Sequence, residues 1–238
     1  MRRMIPNRVN IVMRATITVA FLLKAQLGEV FAARESHLLP VDPFFNTQGE
    51  HARQYADLCE KLLFPASGWR IRYYEVIANP SATMGISIYR QGASDYYIEV
   101  RQSTPELKSV IQSADYEALS FQSIQGKVKV EEAKRKIPVS TASEMTRLWL
   151  WFLSEVRPMA KEGDAIFMDA PLIILYAKKE DGTVSAGKFP QDHQALSKFV
   201  SFRAIVAKLI MACDATEADR QRIFIEVERT SRKLRSQE

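Results

Sequence analysis

The stretch from Trp69 to Arg101 constrains the fold most, because hydrophobic and polar residues alternate along it. It divides into three segments, 69–78, 84–90 and 95–102, which are separated by residues typical of turns. Successive side chains of a strand point to opposite faces of a sheet. The pattern therefore predicts a meander of three antiparallel strands with one apolar and one polar face.

The apolar face of this meander needs a cover, and helices are the simplest one. Glu75 falls on the same face, which indicates either a β-bulge in the first strand or a position at the rim of the sheet. The residues predicted to share this face are Trp69, Ile71, Tyr73, Ile77, Met84, Ile86, Ile88, Ile98 and Val100.

The opposite face is rich in tyrosine and arginine, the residue types that dominate binding hot spots. Antiparallel sheets commonly leave one face in water, so two interpretations stay open: a solvated face crossed by side-chain pairs, or a surface that binds a partner. The residues predicted on this face are Arg70, Arg72, Tyr74, Tyr89, Tyr97, Glu99 and Arg101.

The rest of the chain predicts an α+β domain over residues 33–238. Its mainly antiparallel sheet has five to six strands and is covered on one face by helices 142–156 and 191–213. Helices 48–63 and 217–235 pack at the periphery. The further strands are 127–138, 171–177 and 183–189.

Local signals place the ends of these elements. Thr47–Glu50 and Thr141–Glu144 have the capping-box spacing that starts a helix, and Thr216 is predicted to cap the last helix. Asp181-Gly182 predicts a two-residue hairpin turn, because both central residues of that turn need positive φ.

The N-terminus has the order of a secretory signal peptide. Four arginines precede the apolar run 15–23, and small residues follow at Val30 and Ala32. The run is shorter than the roughly 20 residues that span a bilayer. We therefore expect cleavage after residue 32 and export to the periplasm or the medium, with no stable membrane anchor on the mature chain.

Cleavage changes the charge argument. The whole chain has a formal net charge of +5, but residues 1–32 hold five basic residues and one acidic residue. The mature part is left near neutral, at about +1, so the charge does not predict a nucleic-acid partner.

Two cysteines, Cys59 and Cys213, remain in the mature part. In an oxidising compartment they either form a disulfide that joins the first helix to a C-terminal helix, or stay as two buried thiols in apolar helix faces.

Trp151 points away from the apolar stripe of its predicted helix. Such a tryptophan is either covered by another element of the chain or exposed to a partner, because tryptophan is usually mostly buried.

Recognised catalytic and cofactor motifs are missing from the sequence. Gly182–Lys188 has the spacing of a phosphate-binding loop, but Phe189 stands where that motif needs a hydroxyl. The histidines have no metal-ligand spacing, so neither a metal nor another cofactor is predicted. His193 is the one histidine worth testing as a base, with Asp164 or Asp169 to orient it.

These observations favour an exported, non-catalytic protein of the cell envelope that binds another protein, in an inhibitor- or immunity-like role. Its predicted contact residues lie on the Tyr/Arg sheet face and at Trp151. The alternative is an envelope hydrolase of unknown class, with a site built from carboxylates and His193.

Overall fold

The computed structural model describes residues 39–40, 50–77, 82–107, 110, 124, 126–156, 173–189 and 197–236. The strands are β1 (Leu39–Pro40), β2 (Trp69–Ile77), β3 (Ala82–Gln91), β4 (Asp95–Thr104), β5 (Lys129–Ile137), β6 (Ile173–Lys178) and β7 (Val184–Lys188). The helices are α1 (Glu50–Leu63), α2 (Val139–Ser154), α3 (Ser197–Asp214) and α4 (Glu217–Arg235).

The strands form one antiparallel sheet in the order β1-β7-β6-β2-β3-β4-β5. The predicted α+β class is confirmed: six longer strands pack against four helices, and β1 adds two residues at one edge. The apolar run of β6 lies inside the sheet between β2 and β7 and is buried from Ile173 to Ala177, as its continuous hydrophobicity predicts.

One face of the sheet, which we call the helix face, is covered by α2 and α3. Ile71, Ile86, Ile88 and Ile98 all pack there, as the alternation predicts. The covering side chains are mainly aromatic. The ring centroids of Trp149 on α2 and Phe202 on α3 lie 4.7 Å apart. α4 packs on the outside of α2 and α3 and adds Phe224, Val227 and Leu234 to the same core.

The opposite face, which we call the polar face, is partly covered by α1. Residues of that helix form a second hydrophobic cluster with residues of β2 and β6. Gly85 makes this contact close, since a Cβ there would lie 2.8 Å from Leu63 Cβ and 2.9 Å from Phe64 Cε1. A side chain at this position would therefore push α1 off the sheet.

The prediction that Trp69 lies on the helix face is wrong. The register of β2 against β3 shifts between Trp69 and Ile71, and this irregularity places Trp69 opposite Tyr89. Trp69 packs against the cluster on the polar face instead. The extra residue, Arg70, is half-buried.

The predicted capping box at Thr141–Glu144 is also wrong. α2 begins at Val139 with Pro138 as its N-cap, and no side chain bonds the cap. Thr141 and Glu144 lie inside the helix and hold α4 in place: Thr141 donates to Glu228, and Glu144 accepts from Arg235 at 2.5 Å.

The turn that connects β6 to β7 is longer than the two-residue turn that the sequence predicts. The Gly182 amide donates to Lys179 O at 3.1 Å, and the Lys179 amide donates to Thr183 O at 2.8 Å. Gly182 has a positive φ of +87°. The Lys179–Thr183 bond encloses three residues, so the connection has three residues and not two.

The prediction for the last helix is confirmed. The Thr216 side chain accepts from the Asp219 amide, and the helix runs from Glu217 to Arg235. No helix in the described ranges is long and apolar enough to cross a membrane. The proposed signal peptide, the cap at Thr47–Glu50 and the start of the helix predicted from residue 191 lie outside those ranges, so these three predictions stay predictions.

Candidate functional site

The polar face divides into a closed part and an open part. α1 closes the part over β2 and β6, where Tyr74 has no exposed surface and Tyr176 is buried. The part around Tyr97 and β5 is more open, since Tyr97 and Lys134 are half-buried and Glu132 and Lys136 are exposed. α1 still reaches β4 at its edge, where Arg101 donates to Leu62 O at 3.4 Å.

Arg72 is the charged centre of the closed part. Its side chain is 3% exposed and is held by Glu60 of α1 through two contacts of 2.7 Å, with a third bond of 3.1 Å to Phe64 O. The guanidinium also lies 4.3 Å from the Trp69 ring centroid. Burial lowers the pKa of Arg72, and the hydrogen bond to Glu60 opposes this shift.

Both interpretations of the sheet face place Arg72 and Tyr74 on an open surface. The structure shows instead that both side chains are buried. Their strand has the predicted alternation, but α1 packs on it and buries both side chains. The arginine is tolerated at this buried position because Glu60, on the covering helix, neutralises its guanidinium.

The open part is built around two stacked tyrosines. Tyr89 and Tyr97 face each other across β3 and β4, with ring centroids 5.9 Å apart. Lys134 of β5 lies over both rings, 5.2 Å from the first centroid and 4.8 Å from the second. Burial raises the pKa of Tyr89, and the hydrogen bond to Tyr89 raises the pKa of Lys134.

Charged residues continue the open part toward β5. Arg101 bonds the buried Glu99 at 2.7 Å and Glu132 at 2.5 Å. Lys136 lies next along β5 and contacts Asp95 at 2.8 Å, and this contact raises its pKa. Together with Lys134, the open part thus presents the cations Arg101, Lys134 and Lys136 among the carboxylates Asp95, Glu99 and Glu132.

Trp151 lies on the other side of the sheet, in the helix layer. Its ring packs edge-on against Phe152 at 4.7 Å, and Lys198 of α3 lies 5.9 Å from its centroid. Lys198 is itself held by Glu155 at 2.7 Å. The structure thus places the half-buried Trp151 beside α3 and does not bring it together with the polar face.

The two cysteines are buried thiols, and no disulfide joins them. Cys59 belongs to the cluster under α1 on the polar face, whereas Cys213 belongs to the core of the helix face. The sheet separates these two positions, so the sulfur atoms cannot form a disulfide. The prediction of two buried thiols is therefore the one that the structure supports.

Sequence reasoning did not resolve the role of Glu75, which is buried on the helix face. Tyr73 donates to it at 2.7 Å and Arg203 of α3 at 3.0 Å. The β2 register is regular at this point and Glu75 lies between β3 and β6, so neither a bulge nor an edge position explains it. An acid on an apolar strand face predicts a basic partner on the covering helix, and Arg203 is that partner.

A cleft opens where α1 ends and β2 begins, and we call it the Trp69 cleft. Its volume is about 690 Å³, within the range of small-molecule sites. The lining residues are Glu60, Lys61, Phe64, Pro65, Ala66, Ser67, Gly68, Trp69, Arg72 and Lys178.

The hypothetical catalytic residues His193, Asp164 and Asp169 lie outside the described residues. Within the described ranges, no three His, Cys, Asp or Glu side chains come together as a metal site requires.

Comparisons with protein-family models, with curated proteins and with solved structures found no match to this chain.

Proposed function

We propose that this protein is an exported, non-catalytic binding protein of the cell envelope, in an inhibitor- or immunity-like role. Its contact region is the open part of the polar face, which we call the partner surface. This surface consists of Tyr97, Arg101, Glu132, Lys134 and Lys136, and the buried Tyr89, which is 5% exposed, supports it by stacking against Tyr97. Compared with the contact residues predicted from the sequence, this surface lacks Arg72 and Tyr74, which α1 buries. It also lacks Arg70, at the register shift of β2, and Trp151, in the helix layer.

The observation that carries the proposal is the stacked pair of Tyr89 and Tyr97 beneath Lys134. Its rings are held rigidly by each other and by the ammonium group, so little side-chain entropy is lost when a partner binds. Rigid tyrosines with a basic neighbour are the composition of a protein-binding hot spot.

The charges of this region favour a protein partner over a nucleic acid. The cations Arg101, Lys134 and Lys136 are interleaved with Glu132 and Asp95 rather than gathered in one basic patch. A phosphate backbone needs a net positive surface. Mixed charges instead favour a partner with a complementary pattern, where they give specificity and orientation.

The experiment uses the mature chain in its native host. A photo-crosslinking amino acid replaces Tyr97 in one variant and Arg222 of α4 in a control variant, because Arg222 is exposed and lies in the helix layer. A protein crosslinked from position 97 and not from position 222 is then purified and its affinity measured.

The purified partner should bind Tyr97→Ala/Lys134→Glu at least about tenfold more weakly than the unchanged chain, as expected for a hot spot. Arg222→Glu should bind normally. Equal crosslinking from both positions, or equal affinity of the two variants, would remove the partner surface from the proposal. Mass spectrometry of the native protein should find an N-terminus at Ala33; intact residues 1–32 would contradict export.

A further inference from the structure

We propose that the Trp69 cleft binds an aromatic carboxylate: a flat apolar body with one negative charge. This inference goes beyond the proposed function, because the residues that line the cleft are not part of the partner surface. It follows from the shape of the cleft, from the rigidity of its aromatic walls and from the charge that its lining leaves unbalanced.

The aromatic walls of the cleft are Phe64, at the end of α1, and Trp69, at the start of β2. Trp69 is half-buried and Phe64 is 4% exposed, so one ring is partly available and the other backs the site. The volume of about 690 Å³ accommodates a ligand of one or two rings. An apolar, planar ligand would bury one face against the partly exposed Trp69.

The walls are preorganised by Arg72. Its guanidinium lies 4.3 Å from the Trp69 centroid and 5.0 Å from the Phe64 centroid, and Glu60 fixes it with two contacts of 2.7 Å. A ligand therefore does not have to order these rings itself, which removes part of the entropic cost of binding.

The charge of the lining favours an anion. Among the described lining residues Glu60 is the one acid, and both of its oxygens face Arg72. Lys61 is paired with Asp57 at 2.6 Å. Lys178 is the remaining charged group of the described lining. With these pairs counted, the described lining has a net positive charge at Lys178, and a carboxylate at the mouth of the cleft would lie near this ammonium group.

Such a carboxylate has two sources, a free aromatic acid or the C-terminal aromatic residue of a peptide. Both present the same chemistry to the cleft, and two probes separate them. The first is phenylacetate, with neutral phenylacetamide as its matched control. The second is N-acetyl-Ala-Phe with a free C-terminus, with its C-terminal amide as control.

Binding is measured by calorimetry and by ligand-observed NMR on the purified protein. We expect saturable binding of at least one acid and no measurable binding of the matching amide. Binding of phenylacetate alone, of the peptide acid alone or of both supports the site and assigns the source. If neither acid binds at millimolar concentration, or if acids and amides bind equally, the proposal is wrong.

Two neighbouring lysines of the same strand end supply a matched pair of variants. Lys178→Glu should weaken binding of the acid by about fivefold, the effect of roughly one exposed charge pair. Lys179→Glu, whose side chain does not line the cleft, should bind as the unchanged chain does. Equal affinity of these two variants would overturn the proposal.

The Tyr97→Ala/Lys134→Glu variant separates this site from the partner surface. It should retain binding of the aromatic acid whether or not it loses the protein partner. Each proposal can therefore fail without the other, and loss of acid binding in this variant would contradict the assignment to the Trp69 cleft.

Discussion

The two faces of the sheet are covered in different ways. The helix face carries two long helices and a continuous core of isoleucine and aromatic side chains, in which Glu75 is paired with Arg203. The polar face carries the shorter helix α1, whose cluster also includes Leu107, Val110, Ile124 and Val128. Its closed part depends on a charge pair between Arg72 and Glu60 in addition to these apolar contacts.

The difference shows how one strand pattern leads to two kinds of packing. Apolar burial has no preferred direction, so the helix face tolerates many small adjustments. A buried guanidinium instead requires its carboxylate at one position, because an unpaired buried charge is costly. The pair between Arg72 and Glu60 therefore fixes the position of α1 over β2. The open part begins beyond the strands on which α1 packs.

The largest expected effect comes from emptying the core of the helix face. Phe202 is completely buried. Its ring centroid lies 4.7 Å from that of Trp149 and 4.8 Å from that of Phe152. Phe202→Ala should lower the free energy of unfolding by about 3–5 kcal/mol. Tyr97→Ala, on the open part, should lower the free energy of unfolding by less than about 1 kcal/mol. A urea titration of both variants measures the two losses. Similar losses for the two variants would contradict the contrast between the faces.

Removing the carboxylate that holds Arg72 should have the next largest effect. Glu60→Ala leaves a buried guanidinium without its partner, and we expect a loss of about 2–3 kcal/mol. This is below the range for a fully buried pair because the Glu60 side chain is 39% exposed. Asp57→Ala breaks an exposed pair one turn earlier in α1 and should change stability by less than about 0.5 kcal/mol. Equal effects would mean that Arg72 does not hold α1.

A smaller loss is expected from a methyl group between α1 and β3. Gly85→Ala places its Cβ against Leu63 and Phe64, and overpacking of this kind costs about 1–2 kcal/mol. Gly126→Ala is the matched control, since nothing lies within 4 Å of a Cβ there. Thermal unfolding of both variants measures the difference. A neutral Gly85→Ala would show that α1 does not approach the sheet so closely.

Alkaline pH compares the faces through two buried phenols. Burial, with Glu75 adding to it, raises the pKa of Tyr73 on the helix face, and burial raises the pKa of Tyr176 on the polar face. The unfolded chain releases these protons near pH 10 and the folded chain does not, so their contribution to stability is complete below pH 10 and is lost above it.

The loss should be about 1.4 kcal/mol per phenol at one pH unit above the unfolded pKa. Tyr73→Phe and Tyr176→Phe should each make the fall of the unfolding free energy between pH 10 and 11 less steep by about one proton. If only one variant changes the slope, the other face is open to water at its tyrosine.

The fold could be predicted from the sequence because its signals are local. Alternation over residues 69–101 and the apolar run of β6 depend on neighbours in the chain. The wrong predictions have long-range causes. Thr141 and Glu144 resemble a cap, but they are used by α4, and the register shift at Trp69 is set by pairing with β3.

The candidate site was predicted in part for the same reason. Tyr89 and Tyr97 were assigned to one face by alternation, and they do stack. Nothing in the sequence of β2 indicates that α1 returns over Arg72, since that contact depends on Gly85 and on Glu60, which lie on other elements. The Trp69 cleft is made by the end of α1 and the register shift together, so no local pattern could predict it.

The central claim, that α1 closes one part of the polar face and leaves the other more open, is tested most directly by hydroxyl-radical footprinting of the folded protein. Mass spectrometry would compare oxidation of Tyr74, which is fully buried under α1, with that of Tyr97, which is half-buried on the open part. We predict oxidation at Tyr97 with Tyr74 protected, and loss of that protection in Gly85→Ala. Equal oxidation of the two tyrosines in the unchanged chain would contradict the account.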